Sequence, residues 1–484
     1  MKILKKYNIN KALFLVIPFA VLTSSCGKDF LSLAPELSLP EENSYDTKSR
    51  IEAQISGLYG SLKAGTFYAG RYQIYNDIRG EEFVNRTSNS VTGFSTYQFT
   101  NDPSDSYIAN FWAQGYLTIN RANKFIIDFE QVTNNVVTED EKKAFISEAK
   151  FVRALTYYSL VQLFAKPYAL DAGASPGIPL RLNAETSTDN NNLALSPVKD
   201  IYAQILKDLN EAEQGLPVTV TNATARTTRA HRNTAIALKT RVYLAMGDFP
   251  NVILEGNKIV SATAPFKATT GVLHELNATP NQGFSNFTTL ESVLSWPYET
   301  TNAPGTQNQL GYYYNVGNLE YYLNPNSPGI YASPQWPATD LRKSALTRIY
   351  ALSATLNVPM LTKWGVTPYL DWVPVIRYSE VLLNLAEAEA EAGSLTRAEA
   401  LLEAVRFRSD PAYVFPALGT KSELINAILL ERRIEFLGEG FRAPDLQRRL
   451  APLPAIGLGT PVPVTDNRYV FPIPTNEKLT NFES

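Results

Sequence analysis

The sequence predicts a mainly α fold: helical hairpins forming a scaffold, and a loop-rich insertion containing short strands. The first observation is residues 375–408, VIRYSEVLLNLAEAEAEAGSLTRAEALLEAVRFR, the most regular stretch of the chain. Leu382, Leu383, Leu385, Ala386 and Ala390 fall on overlapping turns of one amphipathic helix. Gly393 supplies the turn, and Thr396 with Glu399 reads as a capping box. Ala398, Leu401, Leu402 and Val405 then repeat the helical spacing. The small alanines let two helices approach closely, which makes this a tetratricopeptide-like pair. Such a pair cannot bury its apolar face alone, so further hairpins are expected. Its charged face is expected to turn outward. The second observation is that similar amphipathic stripes recur upstream. The third is a change of character over residues 263–374. Those 112 residues hold 11 of the 30 prolines and four of the five tryptophans, with only 11 charged side chains. That composition predicts loops and short strands rather than long helices.

Taken in order, residues 1–25 read as a secretory leader. Lys2, Lys5 and Lys6 precede an apolar run over residues 12–22 that is too short to span a bilayer. Small residues then lead to Cys26, the one cysteine of the chain. This predicts a bacterial lipoprotein signal, with cleavage before Cys26 and lipid attached to the new N-terminus. Residues 26–43 read as a tether. Residues 44–484 form the folded part, with scaffold over 44–262 and 375–450, the insertion between them, and a Pro-rich tail over 451–484. Within the scaffold, Ile51, Ile55, Leu58 and Leu62 mark a first helix. Trp112, Ile119, Asn123 and Ile126 mark a second, and Ala149, Val152, Tyr157, Leu160 and Phe164 a third. Ser196 is expected to cap a fourth helix with Pro197 in its first turn. Ile201, Ile205, Leu209 and Ala212 form its stripe. Residues 233–246 and 251–260 read as a fifth and a sixth helix.

Composition excludes some functions. Four lysines and no acid lie in residues 1–25, so 40 basic side chains face 47 acidic ones in the remainder. No net basic balance supports nucleic-acid binding. One cysteine forbids an intrachain disulfide. Two histidines, His231 and His274, give no basis for a His-rich metal site. His231 reads as exposed or as a local cap. Asp102, Asp105 and Asp189 lack calcium-loop spacing, so calcium finds no support and no cofactor is expected.

Several segments follow one another in a known order. GKDFLSLAPE follows Cys26, and Glu148-Ala149-Lys150-Phe151-Val152-Arg153-Ala154 leads to Pro167. Gly177-Ile178-Pro179-Leu180 precedes residues 196–217, SPVKDIYAQILKDLNEAEQGLP. Next come Ala237-Leu238-Lys239-Thr240-Arg241 and Gly247-Asp248. Arg377-Tyr378-Ser379-Glu380 opens the hairpin, Glu431-Arg432-Arg433-Ile434-Glu435-Phe436 leads to Gly440, and Pro472-Ile473-Pro474 comes near the end. Together they resemble the SusD/RagB family of outer-membrane nutrient-binding lipoproteins over nearly the whole chain. The resemblance implies a cell-surface lipoprotein that is held in outer-membrane lipid by acylated Cys26. It implies a protein that captures oligosaccharide, does no catalysis, and passes its ligand to a SusC-like TonB-dependent transporter.

A saccharide offers a C–H face to an aromatic ring and a rim of hydroxyls to polar groups. Two zones have loops rich in aromatics and poor in charge, residues 67–99 and 284–336. Within them Tyr72, Tyr75, Trp296, Tyr298 and Tyr313 are the stacking candidates, and Arg79 and Asn85 the polar ones. Two other functions compete. A secreted glycoside hydrolase needs paired carboxylates; Glu299, Glu320 and Asp340 lie in the right region, and Glu431 with Glu435 shares a helix face. Flanking arginines favour an ion-pair network for that last pair. A helical-repeat adaptor binding only protein or peptide is the other.

Overall fold

The computed structural model describes residues 44–188, 190–365 and 367–483. The leader, the tether, Cys26 and Asp189 lie outside them. Nine helices of eleven residues or more dominate the described residues: α1 Lys48–Leu62, α2 Ser106–Gln131, α3 Glu139–Phe164, α4 Val198–Gly215, α5 Arg232–Met246, α6 Phe249–Ile259, α7 Tyr378–Ala392, α8 Leu395–Ser409 and α9 Lys421–Glu435. Ala53–Ser484 form one compact unit, and the contacts below lie within it. Sequential helices pack against one another: α2 with α3, α3 with α4, α5 with α6, and α7 with α8. Helix α7 also packs against α6 and α9, so it is enclosed by its neighbours. The expected stripe of α4 is buried along its length, at Ile201, Ile205, Leu209 and Ala212.

Helix ends depart from expectation by a residue or two. Ser394, not Thr396, caps α8, accepting from the Arg397 backbone N–H. Ser196 and Pro197 belong to a short strand, and α4 begins at Val198. Gly393 is required by a close approach: a Cβ there would collide with the Glu389 carboxylate. That carboxylate accepts from the Ser394 N–H at 2.9 Å and the Arg397 guanidinium at 2.7 Å.

The acids of α7 do not turn outward. Glu380, Glu387 and Glu389 are buried. Arg241 of α5 meets Glu380 at 2.6 Å, and Arg449 meets Glu387 at 2.7 Å. Arginines distant in sequence supply the charge that lets Glu380 and Glu387 leave water, and Arg397 of α8 does so for Glu389.

The insertion carries β4 Ser292–Trp296, β5 Tyr321–Leu323, β6 Thr347–Ala351, β7 Asn357–Leu361 and β8 Val373–Arg377. With β1 Phe83–Asn85 they form three two-stranded antiparallel pairs: β1 with β5, β4 with β8, and β6 with β7. β5 also packs against β7. The expected polar connector before α4 holds a fourth pair, β2 Pro176–Pro179 with β3 Leu195–Pro197.

A buried charge network ties the insertion to α7, α8 and α9. Five cations (Arg342, Lys363, Arg377, Arg406, Arg408) meet five carboxylates (Glu291, Asp340, Glu431, Glu435, Glu439), all buried or nearly so. Glu435 alone lies 2.9 Å from Arg342, 2.7 Å from Arg377 and 2.7 Å from Arg408. Burial raises its carboxyl pKa, but Arg408, Arg377 and Arg342 outweigh burial and hold it well below the ordinary value. The Glu431 and Glu435 pair is therefore an ion-pair element, with partners from the insertion and from α8 rather than the flanking Arg432 and Arg433.

Candidate functional site

The exposed aromatic surface of the insertion is built from the residues next to the sequence-predicted ones. The helical turn Leu310–Tyr314 carries three consecutive tyrosines, and they diverge. Tyr313 and Tyr314 point into the core. The Tyr313 hydroxyl meets that of Tyr107, and its ring lies 6.3 Å from Tyr321. Tyr314 stacks on Phe83 at 4.6 Å and donates its hydroxyl to Asp77 at 3.0 Å. Tyr312 stays half-exposed, 5.9 Å from Tyr369. Gly311 makes this packing possible, because a Cβ there would press on the Gly365 carbonyl and the Tyr369 ring.

Strand alternation sorts the next pair. Tyr321 on β5 is fully buried, and Tyr322 faces the other way and is half-exposed. Tyr322 and Tyr350 of β6 both pack on one apolar cluster of Leu319, Val358 and Met360, beside Val316 and Leu352. Val316 joins the two groups of rings, since the Tyr369 hydroxyl donates to its carbonyl at 3.3 Å. Gly317, at φ +110°, leaves room for that hydroxyl; any Cβ would collide with it. The result is a connected strip, Tyr312, Tyr369, Tyr322 and Tyr350, in which Tyr369 is mostly covered and the other three keep part of each ring in solvent.

The rim is polar and carries a few charged side chains. Gln307 donates to the Tyr312 hydroxyl at 3.3 Å. Arg86, exposed, donates Nε to the Leu319 carbonyl at 2.7 Å. Asp371 accepts from the Gly365 N–H at 2.9 Å, and burial raises its carboxyl pKa. Arg348 of β6, also exposed, donates Nε to the Met360 sulfur at 3.4 Å. Half-exposed rings with hydroxyls, an amide and two guanidinium groups at their edges suit a polyhydroxylated ligand.

The seven residues singled out in the sequence lie elsewhere. Tyr72 is buried and stacks on Tyr68 at 4.6 Å, beside a cavity of about 20 Å³ that is too small for a sugar ring. Tyr75 is fully buried, its hydroxyl donating to the Tyr107 carbonyl at 2.6 Å. Trp296 is buried edge-on to Tyr68 at 5.1 Å. Tyr298 is buried against Lys63, whose Nζ lies 5.2 Å from its ring centre. Tyr313 is in the core, as above. Asn85 is half-buried and accepts from the Ser88 N–H at 2.8 Å. Arg79 is buried, donating to the Tyr469 carbonyl. The five aromatic candidates therefore offer no open ring face. Loops without regular structure need large side chains beneath them, and these rings fill that role. Two signals in the sequence point to the strip instead: period-two alternation at Tyr321-Tyr322, and the outer position in Tyr312-Tyr313-Tyr314.

Two of the three insertion acids weighed for hydrolysis are committed elsewhere. Glu320 is buried and accepts from Thr92 at 2.9 Å, and Asp340 is buried against Arg342 at 2.7 Å. Glu299 is exposed, its backbone N–H bound to Asn302. Asp102 and Asp105 serve local turns, Asp105 capping α2. His231 is buried, not exposed, and stacks on His274 with ring centres 5.2 Å apart.

Comparison with known proteins places this architecture. A family described as starch-binding and associating with the outer membrane matches residues 29–244, and the SusD family matches residues 163–454. A SusD-like protein of Formosa agariphila, P2, is 26% identical across 99% of this chain and 98% of its own length. The crystal structure of a SusD superfamily protein from Bacteroides fragilis is 33% identical and superposes with a TM-score of 0.81, covering 91% of this chain and 99% of its own. A laminarin-binding SusD-like protein, 22% identical, shares the fold with a TM-score of 0.67 over 90% of this chain and 98% of its own. With an enclosed helical-hairpin scaffold, a strand-bearing insertion and a match to more than half its length, the chain belongs to the SusD family.

Proposed function

We propose that the chain is a cell-surface glycan-binding lipoprotein that captures oligosaccharide on the Tyr312–Tyr369–Tyr322–Tyr350 strip and delivers it to a SusC-like TonB-dependent transporter. The observation that carries the reading is the strip itself: three half-exposed tyrosines joined through Val316 and Tyr369, with few charges around them. Stacking on such rings is worth about 0.5–1.5 kcal/mol each beyond area burial, so two or three rings supply about 1–4.5 kcal/mol, the scale of weak, roughly millimolar capture. Weak, reversible capture fits a protein that must release its ligand to a transporter. The function requires no bond-breaking chemistry. Anchoring is through lipid on Cys26; among the described residues no helix is long and apolar enough to cross a membrane. That laminarin binding occurs on this fold makes β-glucan oligosaccharides the first probes to use.

Isothermal titration of the purified protein against β-glucan and α-glucan oligosaccharides tests the reading. Saturable binding to at least one series is expected. Binding to peptides with no response to any glycan would overturn it.

A further inference from the structure

A second cavity, of about 140 Å³, lies away from the strip residues. It is lined by the loop after β1 (Thr96, Phe99, Asn101), by Arg79, and by residues 467–472 of the C-terminal segment. Arg79 forms its charged wall. The side chain is 1% exposed and sits between two aromatic rings, 5.7 Å from the Phe99 centre and 5.1 Å from the Phe471 centre. One nitrogen donates to the Tyr469 carbonyl, and Nη1 has no hydrogen-bond partner.

The missing element is a counter-charge. Several buried arginines elsewhere face carboxylates: Arg153 faces Asp208, Arg241 faces Glu380, and Arg432 faces Asp445. Arg71 instead donates to the Asn308 side chain and the Tyr107 carbonyl, so both of its donating nitrogens are engaged, whereas Arg79 keeps one nitrogen without a partner. Among the described residues Arg79 has no carboxylate within ion-pair distance. The acids that follow it are already engaged, Glu81 with Arg442 and Arg433, and Glu82 with Arg433. No aspartate or glutamate lines the cavity. The nearest acid in the segment, Asp466, is held by Arg468 at 2.7 Å. Burial without a counter-ion lowers the Arg79 pKa to about 10. Burying a guanidinium this way is costly unless an anion meets it.

A second polar group of the lining has no partner. The Thr96 hydroxyl is buried and unpartnered. Asn467 and Arg468 are exposed at the cavity edge. Phe99 adopts φ +57°, a left-handed conformation that is strained for a bulky side chain and is retained at this wall.

We infer that this cavity binds a small oxyanion, carboxylate or sulfate, on Arg79 and Thr96. The planar guanidinium matches such an anion with paired N–H donors. The group could arrive on an acidic sugar or as a free ion, and the inference does not depend on the tyrosine strip.

Isothermal titration of the full chain, at fixed ionic strength set with chloride, uses three probes: sodium sulfate, methyl glucuronide and methyl glucoside. One saturable site for sulfate and the glucuronide, absent for the glucoside, is expected; a response to the glucuronide alone also supports the inference and assigns the anion to a sugar. Arg79→Met should weaken binding by about tenfold or more. Asn467→Asp changes an exposed residue and places a carboxylate at the cavity edge, so it should weaken binding similarly even if Arg79→Met does not fold. Absence of binding to either anion, or isotherms unchanged in Asn467→Asp, would overturn the inference.

Discussion

Glu435→Gln removes one charge from the ten-member network and almost nothing from its volume. In the native chain five cations and five carboxylates balance. The variant leaves three guanidinium groups, Arg342, Arg377 and Arg408, sharing a neutral amide. Stranding a buried charge this way costs about 3–5 kcal/mol. Unfolding entropy of ~2.1 cal/mol/K per residue over roughly 440 residues gives about 0.9 kcal/mol/K, so the melting temperature should fall by roughly 3–5 °C. Calorimetry at pH 7 reads this. The pH matters: the folded Glu435 carboxyl is held well below its ordinary value, so its contribution is fully present above the unfolded pKa and is lost as pH falls. Adding Arg408→Met should restore part of the loss, because one unpaired cation goes with it; a coupling on the order of 1–3 kcal/mol is expected. A melting temperature within about 1 °C of the native one, or strict additivity in the double variant, would refute the idea that this network holds the insertion on the scaffold.

Three further outcomes are expected. His274 is held neutral by burial, with its pKa lowered to about 4, and His231 is lowered too, by burial first and His274 next. Between the unfolded value near pH 6.5 and about 4 the unfolded chain binds a proton that the folded chain does not, so stability falls as pH drops through that window, by on the order of 3 kcal/mol for His274; denaturant melts of His274→Gln should show a correspondingly shallower acid loss. Trp296→Ala, a buried ring, should cost about 3–5 kcal/mol of stability while leaving glycan affinity within about twofold at a temperature where the variant is folded; a loss of affinity without loss of stability would return Trp296 to the site. Cys26→Ser should move the protein from the membrane to the soluble fraction of the producing cell, and continued membrane retention would argue against lipid anchoring.

The scaffold was legible because its information is local. Alanine and leucine at helical spacing mark α7 and α8, and prolines mark where helices stop. Burial of the acids on α7 was not legible, since Glu380 and Glu387 look like a solvent face until Arg241 and Arg449 arrive from elsewhere in the chain. Burial of the five aromatic candidates was not legible for a related reason. Composition located the aromatic insertion, but neighbours in sequence diverge: Tyr313 inward and Tyr312 outward, Tyr321 inward and Tyr322 outward. Alternation says that one ring of each pair turns inward; which one is set by packing, as Tyr321 meets Tyr97 and Tyr313 in the core. Arg79 was picked as a polar contact, and the structure gives it a buried setting between two rings rather than a place on the strip.

The decisive measurement is glycan titration of Tyr322→Ala combined with Tyr350→Ala, beside the native chain. Both rings are half-exposed, so folding should survive, and a melting curve checks that it does. Losing two stacking partners should weaken affinity by roughly 1–3 kcal/mol, about fivefold to 150-fold. Undiminished binding in a folded double variant would contradict the assignment of capture to the tyrosine strip.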